Sequence, residues 1–356
     1  MKKVMFILGT RPNYMKAYPL YKELQNKYQL ILVHTGQHYD NNMFQIFFDE
    51  FSLPKPDIQI NLNNKDPLLQ LGEMITELSK IAINSKPDLI IVFGDVTSTL
   101  AGALVSNKLN IKLAHIESGL RSFDRSMPEE INRILTDQIT DYFFITEPSG
   151  ISNLLASNLS YEQKQNLYFV GNTMIDTLVE MLPKIKKIDY YKTLNLSENN
   201  FIIVTLHRPS NVDNIDQLIK IVDKLNEINY NHQIVWPIHP RTKKRLIESN
   251  LNISKFITLE PLGYIEFMNL VYYSKLVITD SGGIQEETTF LSKPCLTLRE
   301  NTERPITLIE NGGTNKLTNL DNLLDDINNI VLKKTKIKKW DGNACKRIEN
   351  ILNEIL

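Results

Sequence analysis

Three carboxylates stand where apolar runs of this sequence stop. Asp95 follows Leu89–Phe93 through Gly94, Glu117 follows Lys112–Ile116, and Glu129 opens a helical pattern between Pro128 and Glu130. Acids held near one another push their proton affinities apart, which suits acid–base chemistry on two faces of one substrate. Each also has a plainer use. Asp95 reads first as the N-cap of a helix over Thr97–Lys108, and Glu129 and Glu130 complement the dipole of the helix they begin. Glu117 leaves an apolar strand directly into Ser118-Gly119 and is harder to assign to solvation alone. Taken together, the three point to proton transfer.

A second set of residues suits anions. Lys275 to Glu287 reads as a short apolar strand, a Ser281-Gly282-Gly283 turn and the opening of a helix. Glycines let backbone approach a ligand closely, and the unpaired N–H groups of a helix start can hold phosphate. Glu287 then stands where a carboxylate can take the two hydroxyls of a ribose. The run Arg299-Glu300-Asn301-Thr302-Glu303-Arg304-Pro305 follows the strand Pro294 to Leu298 and suits an anion-facing loop better than a buried turn. His207-Arg208 follows Phe201–Thr205, and His239 follows the strand ending at Trp236. Such pairs at strand ends fit stabilisation of a leaving phosphate. Phe267, within a helix from Tyr264 to Leu270, offers a ring for a flat base, although core packing is the commoner use. The first strand ends in Gly9-Thr10-Arg11-Pro12, where Arg11 and Lys16 both reach an anion at a helix start or serve as surface cations. No Gly-x-Gly-x-x-Gly, P-loop or metal-ligand cluster is present, so neither a cofactor nor a metal is expected.

The elements that position these residues alternate along the chain. Strands are expected at Val4–Leu8, Leu30–His34, Leu89–Phe93, Lys112–Ile116, Tyr142–Ile145 and 167–170, with helices between them. The strands are continuously apolar, so both sheet faces must be covered, which predicts a parallel α/β sheet. At 356 residues the chain exceeds one ordinary core, and about two domains of ~150–200 residues are expected. The rhythm restarts after Gly171-Asn172. The expectation is therefore α/β with two doubly wound, Rossmann-like domains, 1–170 and 171–341, facing a central cleft, and a closing helix at 342–356 free to pack back on either domain, the first included. Net charge is −1 with 23% charged residues, which excludes a broad basic face for nucleic acid. The two cysteines make no disulfide framework and no stretch approaches the ~20 apolar residues of a membrane span, so a soluble cytoplasmic protein is expected.

The ordered set of motifs resembles the non-hydrolysing UDP-N-acetylglucosamine 2-epimerases, which share the GT-B architecture. The resemblance rests on Gly9-Thr10-Arg11-Pro12, Gln37-His38, Gly94-Asp95, His115 to Arg121, Pro128 to Arg133, Gly171-Asn172-Thr173, His207-Arg208, Thr279 to Glu287 and Thr302 to Pro305. It implies reversible C2 epimerisation of UDP-GlcNAc and UDP-ManNAc, by elimination of UDP to 2-acetamidoglucal and re-addition, supplying a precursor for cell-surface polysaccharide. Asp95, Glu117 and Glu129 match the family's catalytic carboxylates, and His207 its histidine for departing UDP. Arg11, Lys16, His239, Phe267, Ser281, Gly282, Gly283, Glu287 and Arg304 fall on its nucleotide contacts, with Arg208 beside them. A homodimer is the expected assembly. The chain departs from the pattern at Pro209-Ser210, where the family often carries Arg-Glu, and at Asp40, where bacterial members place a glutamine tied to an allosteric UDP-GlcNAc. Gln37 and Asp40 thus mark a degenerate second site, and simple hyperbolic kinetics are expected. The rival readings are a hydrolysing 2-epimerase releasing ManNAc and UDP, an epimerase for a modified UDP-hexosamine, a GT-B glycosyltransferase and a non-catalytic UDP-sugar binder.

Overall fold

In the computed structural model, residues 1–37, 50–51, 53–64, 66–331 and 333–356 are described. Asp40 lies outside the described residues, as does His38. The chain divides into two compact units, Met1–Glu180 together with Lys338–Leu356, and Met181–Ile337.

The first unit holds a parallel sheet of β1 (Lys3–Leu8), β2 (Gln29–His34), β3 (Ile58–Gln59), β4 (Leu89–Phe93), β5 (Lys112–Ile116), β6 (Tyr142–Ile145) and β7 (Leu167–Phe169). Their order is β3-β2-β1-β4-β5-β6-β7. Every residue of β4 is at most 1% exposed, because helices cover both faces. Met74, Leu78 and Ala82 from the helix Pro67–Ser85 pack with Ile7 and Val92 and with Ala101 from the helix Thr97–Lys108. The closing helix, Ala344–Ile355, belongs to this unit and packs on the helix Arg11–Leu24. Its first N–H groups, those of Ala344 and Cys345, donate to Asp176, which satisfies donors a helix start otherwise leaves open.

The second unit repeats the plan with β8 (Phe201–Thr205), β9 (Gln233–Pro237), β10 (Ile257–Leu259), β11 (Leu276–Thr279), β12 (Cys295–Leu298) and β13 (Asn315–Thr318). The order is β10-β9-β8-β11-β12-β13, again parallel throughout. Val204, Ile278 and Trp236 pack against Leu218, Ile221 and Leu225 of the helix Ile215–Ile228. The sequence pattern marks neither β3, only two residues long, nor β13. β13 reads Asn-Lys-Leu-Thr and sits at the sheet edge, where only one neighbour supplies apolar cover.

In both sheets the strand order reverses beside the first strand, between β1 and β4 and between β8 and β11. Ligands of doubly wound sheets bind outside the strand carboxyl ends at such switch points. Ile7 pairs with Val92 and Thr205 with Thr279, so the residues that follow each pair emerge at one level.

Candidate active site

At the first switch point, the turn after β1 is pinned by Asn13. Its Oδ1 accepts from the N–H groups of Gly9 and Thr10 at 3.1 Å, and its Nδ2 donates to Phe93 O at the end of β4. Gly9 permits this approach, since a Cβ there would fall 1.7 Å from Ser98 Oγ. The helix begins at Arg11, which is half-buried, and carries Lys16 inward to 4% exposure. Gln37 lies close by and accepts from Ser98 N and Oγ at the start of the helix Thr97–Lys108.

Asp95 is not the cap of that helix. Val96 holds the N-cap position, and the Asp95 carboxylate turns instead to Arg133, 2.6 Å away. The same guanidinium group lies 2.9 Å from Glu117 Oε1 and also donates to the Glu117 carbonyl oxygen. The second Glu117 oxygen, Oε2, is 2.5 Å from Lys16 Nζ. Lys16 therefore meets a carboxylate of its own unit at the place where the sequence suggests an incoming anion. Two carboxylates and two cations share a buried cluster in which Coulomb terms are strong. Glu117 takes a φ of +69°, a conformation uncommon outside glycine, so its side chain is aimed at some backbone cost. Gly94, with φ +66°, passes so close that a Cβ would lie 3.0 Å from Lys16 Nζ.

The structure brings Asp95, Glu117 and Lys16 together and leaves Glu129 exposed in the first turn of the helix Pro128–Gln138, one turn before Arg133. Its neighbour Glu130 is buried and accepts from Ser122 N and Oγ, fixing the loop ahead of the helix. Arg133 and Asn13 were not singled out from sequence. The available signal was position: Arg133 closes the quoted run Pro128 to Arg133, and Asn13 directly follows Gly9-Thr10-Arg11-Pro12.

At the second switch point the organising residue is Asp280, also not singled out. Fully buried, it accepts from His207 N, Arg208 N and Asn211 Nδ2, and His207 Nδ1 lies 2.9 Å from its Oδ1. Burial alone would raise this carboxyl, but the hydrogen bond and charge of His207, then Asn211 and the Arg208 N–H, outweigh it and hold it below the usual carboxylate range. The His207 side chain is 41% exposed, and with Nδ1 on Asp280 its Nε2 is the ring atom offered to a ligand. His239 is stacked obliquely beside it, ring centroids 6.0 Å apart. Asn211 keeps its place despite Pro209-Ser210, because those residues form a short helical turn, Pro209–Val212, that points Asn211 inward.

Ser281 holds the N-cap position of the helix Gly282–Phe290 without a side-chain capping hydrogen bond, and the glycine start is half-buried. Gly282 is required by Arg304: a Cβ there would lie 2.4 Å from the guanidinium and 2.9 Å from Glu303 Oε1. Arg304 is held by Glu286 at 2.9 Å and by Glu303. Burial would raise the Glu303 carboxyl, yet Arg304, Arg299 and Arg208 hold it well below the ordinary range. Arg208 itself is 3.8 Å from Glu303. Glu287 is buried and accepts from Tyr264 Oη at 2.9 Å, so one of its oxygens is already oriented. Phe267, one turn after Tyr264, is half-buried. Among the described residues no group of three or more His, Cys, Asp or Glu is placed to hold a metal, and no helix is long and apolar enough to cross a membrane.

Comparison with known proteins follows this geometry. The family model described as UDP-N-acetylglucosamine 2-epimerase matches residues 22–353. A UDP-N-acetylglucosamine 2-epimerase of Methanococcus maripaludis is 42% identical over 99% of this chain and 98% of its own. A UDP-2,3-diacetamido-2,3-dideoxy-D-glucuronate 2-epimerase of Pseudomonas aeruginosa is 41% identical over 85% of this chain and 84% of its own. The crystal structure of Methanocaldococcus jannaschii UDP-GlcNAc 2-epimerase, in complex with UDP-GlcNAc and UDP, superposes with a TM-score of 0.90 at 41% identity over 99% of both chains. The two parallel-sheet units are those of the GT-B fold, and the chain belongs to the UDP-N-acetylglucosamine 2-epimerase family.

Proposed function

We propose that the protein interconverts UDP-GlcNAc and UDP-ManNAc without net hydrolysis. The observation that carries this reading is the pairing of Asp95 and Glu117 on Arg133 at strand ends, in a chain of this family. In it, Asp95, Glu117 and Glu129 move the C2 proton from one face and return it on the other, with 2-acetamidoglucal and UDP as the intermediate pair. His207, oriented by Asp280, and His239 meet the departing diphosphate. The helix start at Ser281-Gly282-Gly283 holds its phosphates, with Arg208 and Arg304 as fixed positive charge. Glu287 takes the ribose hydroxyls, Phe267 the uracil face, and Arg11 and Lys16 serve as further cations for the phosphates. Polysaccharide precursor supply, a cytoplasmic homodimer and unactivated hyperbolic kinetics, the last from Asp40, belong to the same reading.

Incubation with UDP-GlcNAc in D2O, followed by NMR, is the test. Deuterium at C2 of both epimers, with the UDP linkage intact, is expected. Accumulation of free ManNAc and UDP would instead establish the hydrolysing reaction. A second reading, action on a modified UDP-hexosamine, is favoured by the 41% identity to the P. aeruginosa diacetamido-glucuronate enzyme. Incubating the protein with that substrate alongside UDP-GlcNAc separates the two by relative kcat/KM.

A further inference from the structure

We propose that His115, donating through Nε2, is a positioning residue that ties together the two turns carrying Asp95 and Glu117. His115 lies on β5 with no exposure to solvent. Its Nε2 is 2.7 Å from Gly94 O and its Nδ1 2.8 Å from Asp137 Oδ1. A carbonyl oxygen only accepts, so Nε2 carries a proton. The other Asp137 oxygen receives Arg121 at 2.7 Å and the Gly119 N–H at 3.2 Å, both donors, as an ionised carboxylate requires. Burial alone would raise the Asp137 carboxyl. The hydrogen bond and charge of His115, followed by the charges of Arg121 and Arg133, prevail and hold it low. Nδ1 faces that carboxyl group. The charged groups around the ring are then Asp137 and Arg133 from the helix Pro128–Gln138, Arg121 from the loop after β5, and, beyond Gly94, the Glu117–Lys16 pair.

His115 acts through backbone. The Gly94 peptides are clamped to β5, N–H to Ile116 O at 3.0 Å and C=O to His115. This holds a left-handed residue immediately before Asp95. On the other side, the His115–Asp137 pair receives the N–H of Gly119, two residues past Glu117. One hydrogen-bonded pair thus ties both turns, while His115 itself touches neither the Asp95 nor the Glu117 carboxylate.

Long-range 15N–1H correlation spectra of the full-length protein test the Nε2 donor without substrate. Of the histidine rings, one protonated at Nε2 and protected from exchange with solvent is expected. It should be assigned to His115 by its loss in H115Q, or by its change in D137N if H115Q does not fold. A His115 ring with a bare Nε2 would overturn the proposal. The kinetic arm rests on the epimerase reading. There, H115Q and D137N should each lower kcat about 10–100-fold, with the KM for UDP-GlcNAc and the affinity for UDP unchanged. Unchanged kcat in both, or a loss of UDP affinity, would remove the positioning role. If the wild type does not act on UDP-GlcNAc, that reading fails while the spectra still decide whether His115 holds Gly94 through Nε2.

Discussion

Replacing Arg133 by methionine keeps most of the apolar stem and deletes the charge. The guanidinium group is almost fully buried, 2.6 Å from Asp95 and 2.9 Å from Glu117, and its loss strands two carboxylates. Removing one partner of a buried ion pair costs about 3–5 kcal/mol, chiefly because the remaining charge is left without compensation. Two features pull this toward the low end. The Asp95 side chain is 20% exposed and recovers some hydration, and Glu117 retains Lys16 at 2.5 Å. We therefore expect about 3 kcal/mol, which for a unit of about 200 residues lowers the melting transition by about 6–12 °C. Calorimetry of the full chain should show the shift confined to one of two transitions. Adding Glu117→Gln to Arg133→Met should be less damaging than the sum of the two changes, with a coupling of about 1–3 kcal/mol. A variant melting within about 2 °C of wild type, or strict additivity in the double mutant, would refute the idea that this arginine balances the carboxylate pair.

Asp95→Asn, Glu117→Gln and Glu129→Gln should each keep UDP binding and lose about two to four powers of ten in turnover; near-normal activity in all three would overturn their assignment. Asp280 bears on pH. Its folded carboxyl lies below the usual range, so its stabilisation is complete above the unfolded value near ~4 and is lost as pH falls through the folded one. The stability gap between wild type and Asp280→Asn, read from urea midpoints, should therefore shrink on going from about pH 6 to about pH 2; parallel profiles would count against it. In Gly282→Ala the new Cβ, 2.4 Å from Arg304, must displace the guanidinium and disturb the helix start, and UDP should bind at least about tenfold more weakly by titration calorimetry. Wild-type affinity would show that Arg304 and the turn move without consequence.

Much of this was legible in the amino-acid order because it is local. Five consecutive apolar residues at Leu89–Phe93 and four at 201–204 can only be covered on both faces, which dictates parallel α/β units. Chemistry then had to lie just past the strand ends, and Gly94-Asp95, Glu117, His207 and Ser281-Gly282-Gly283 all do. Short polar strands such as β13 escaped notice because an edge position does not demand an apolar run. The pairing of charges was not legible at all. Arg133 reaches Asp95 across 38 residues, His115 reaches Asp137 across 22, and the His207 backbone reaches Asp280 across 73. By sequence Asp95 was as good a helix cap as any aspartate, and Lys16 a cation waiting for phosphate. The order of strands in the sheet set Gly94 against β5 and brought the helix of Arg133 over both turns. Which charge meets which depends on distances of a few ångströms in a buried, weakly screened setting, and only the tertiary structure decides those distances.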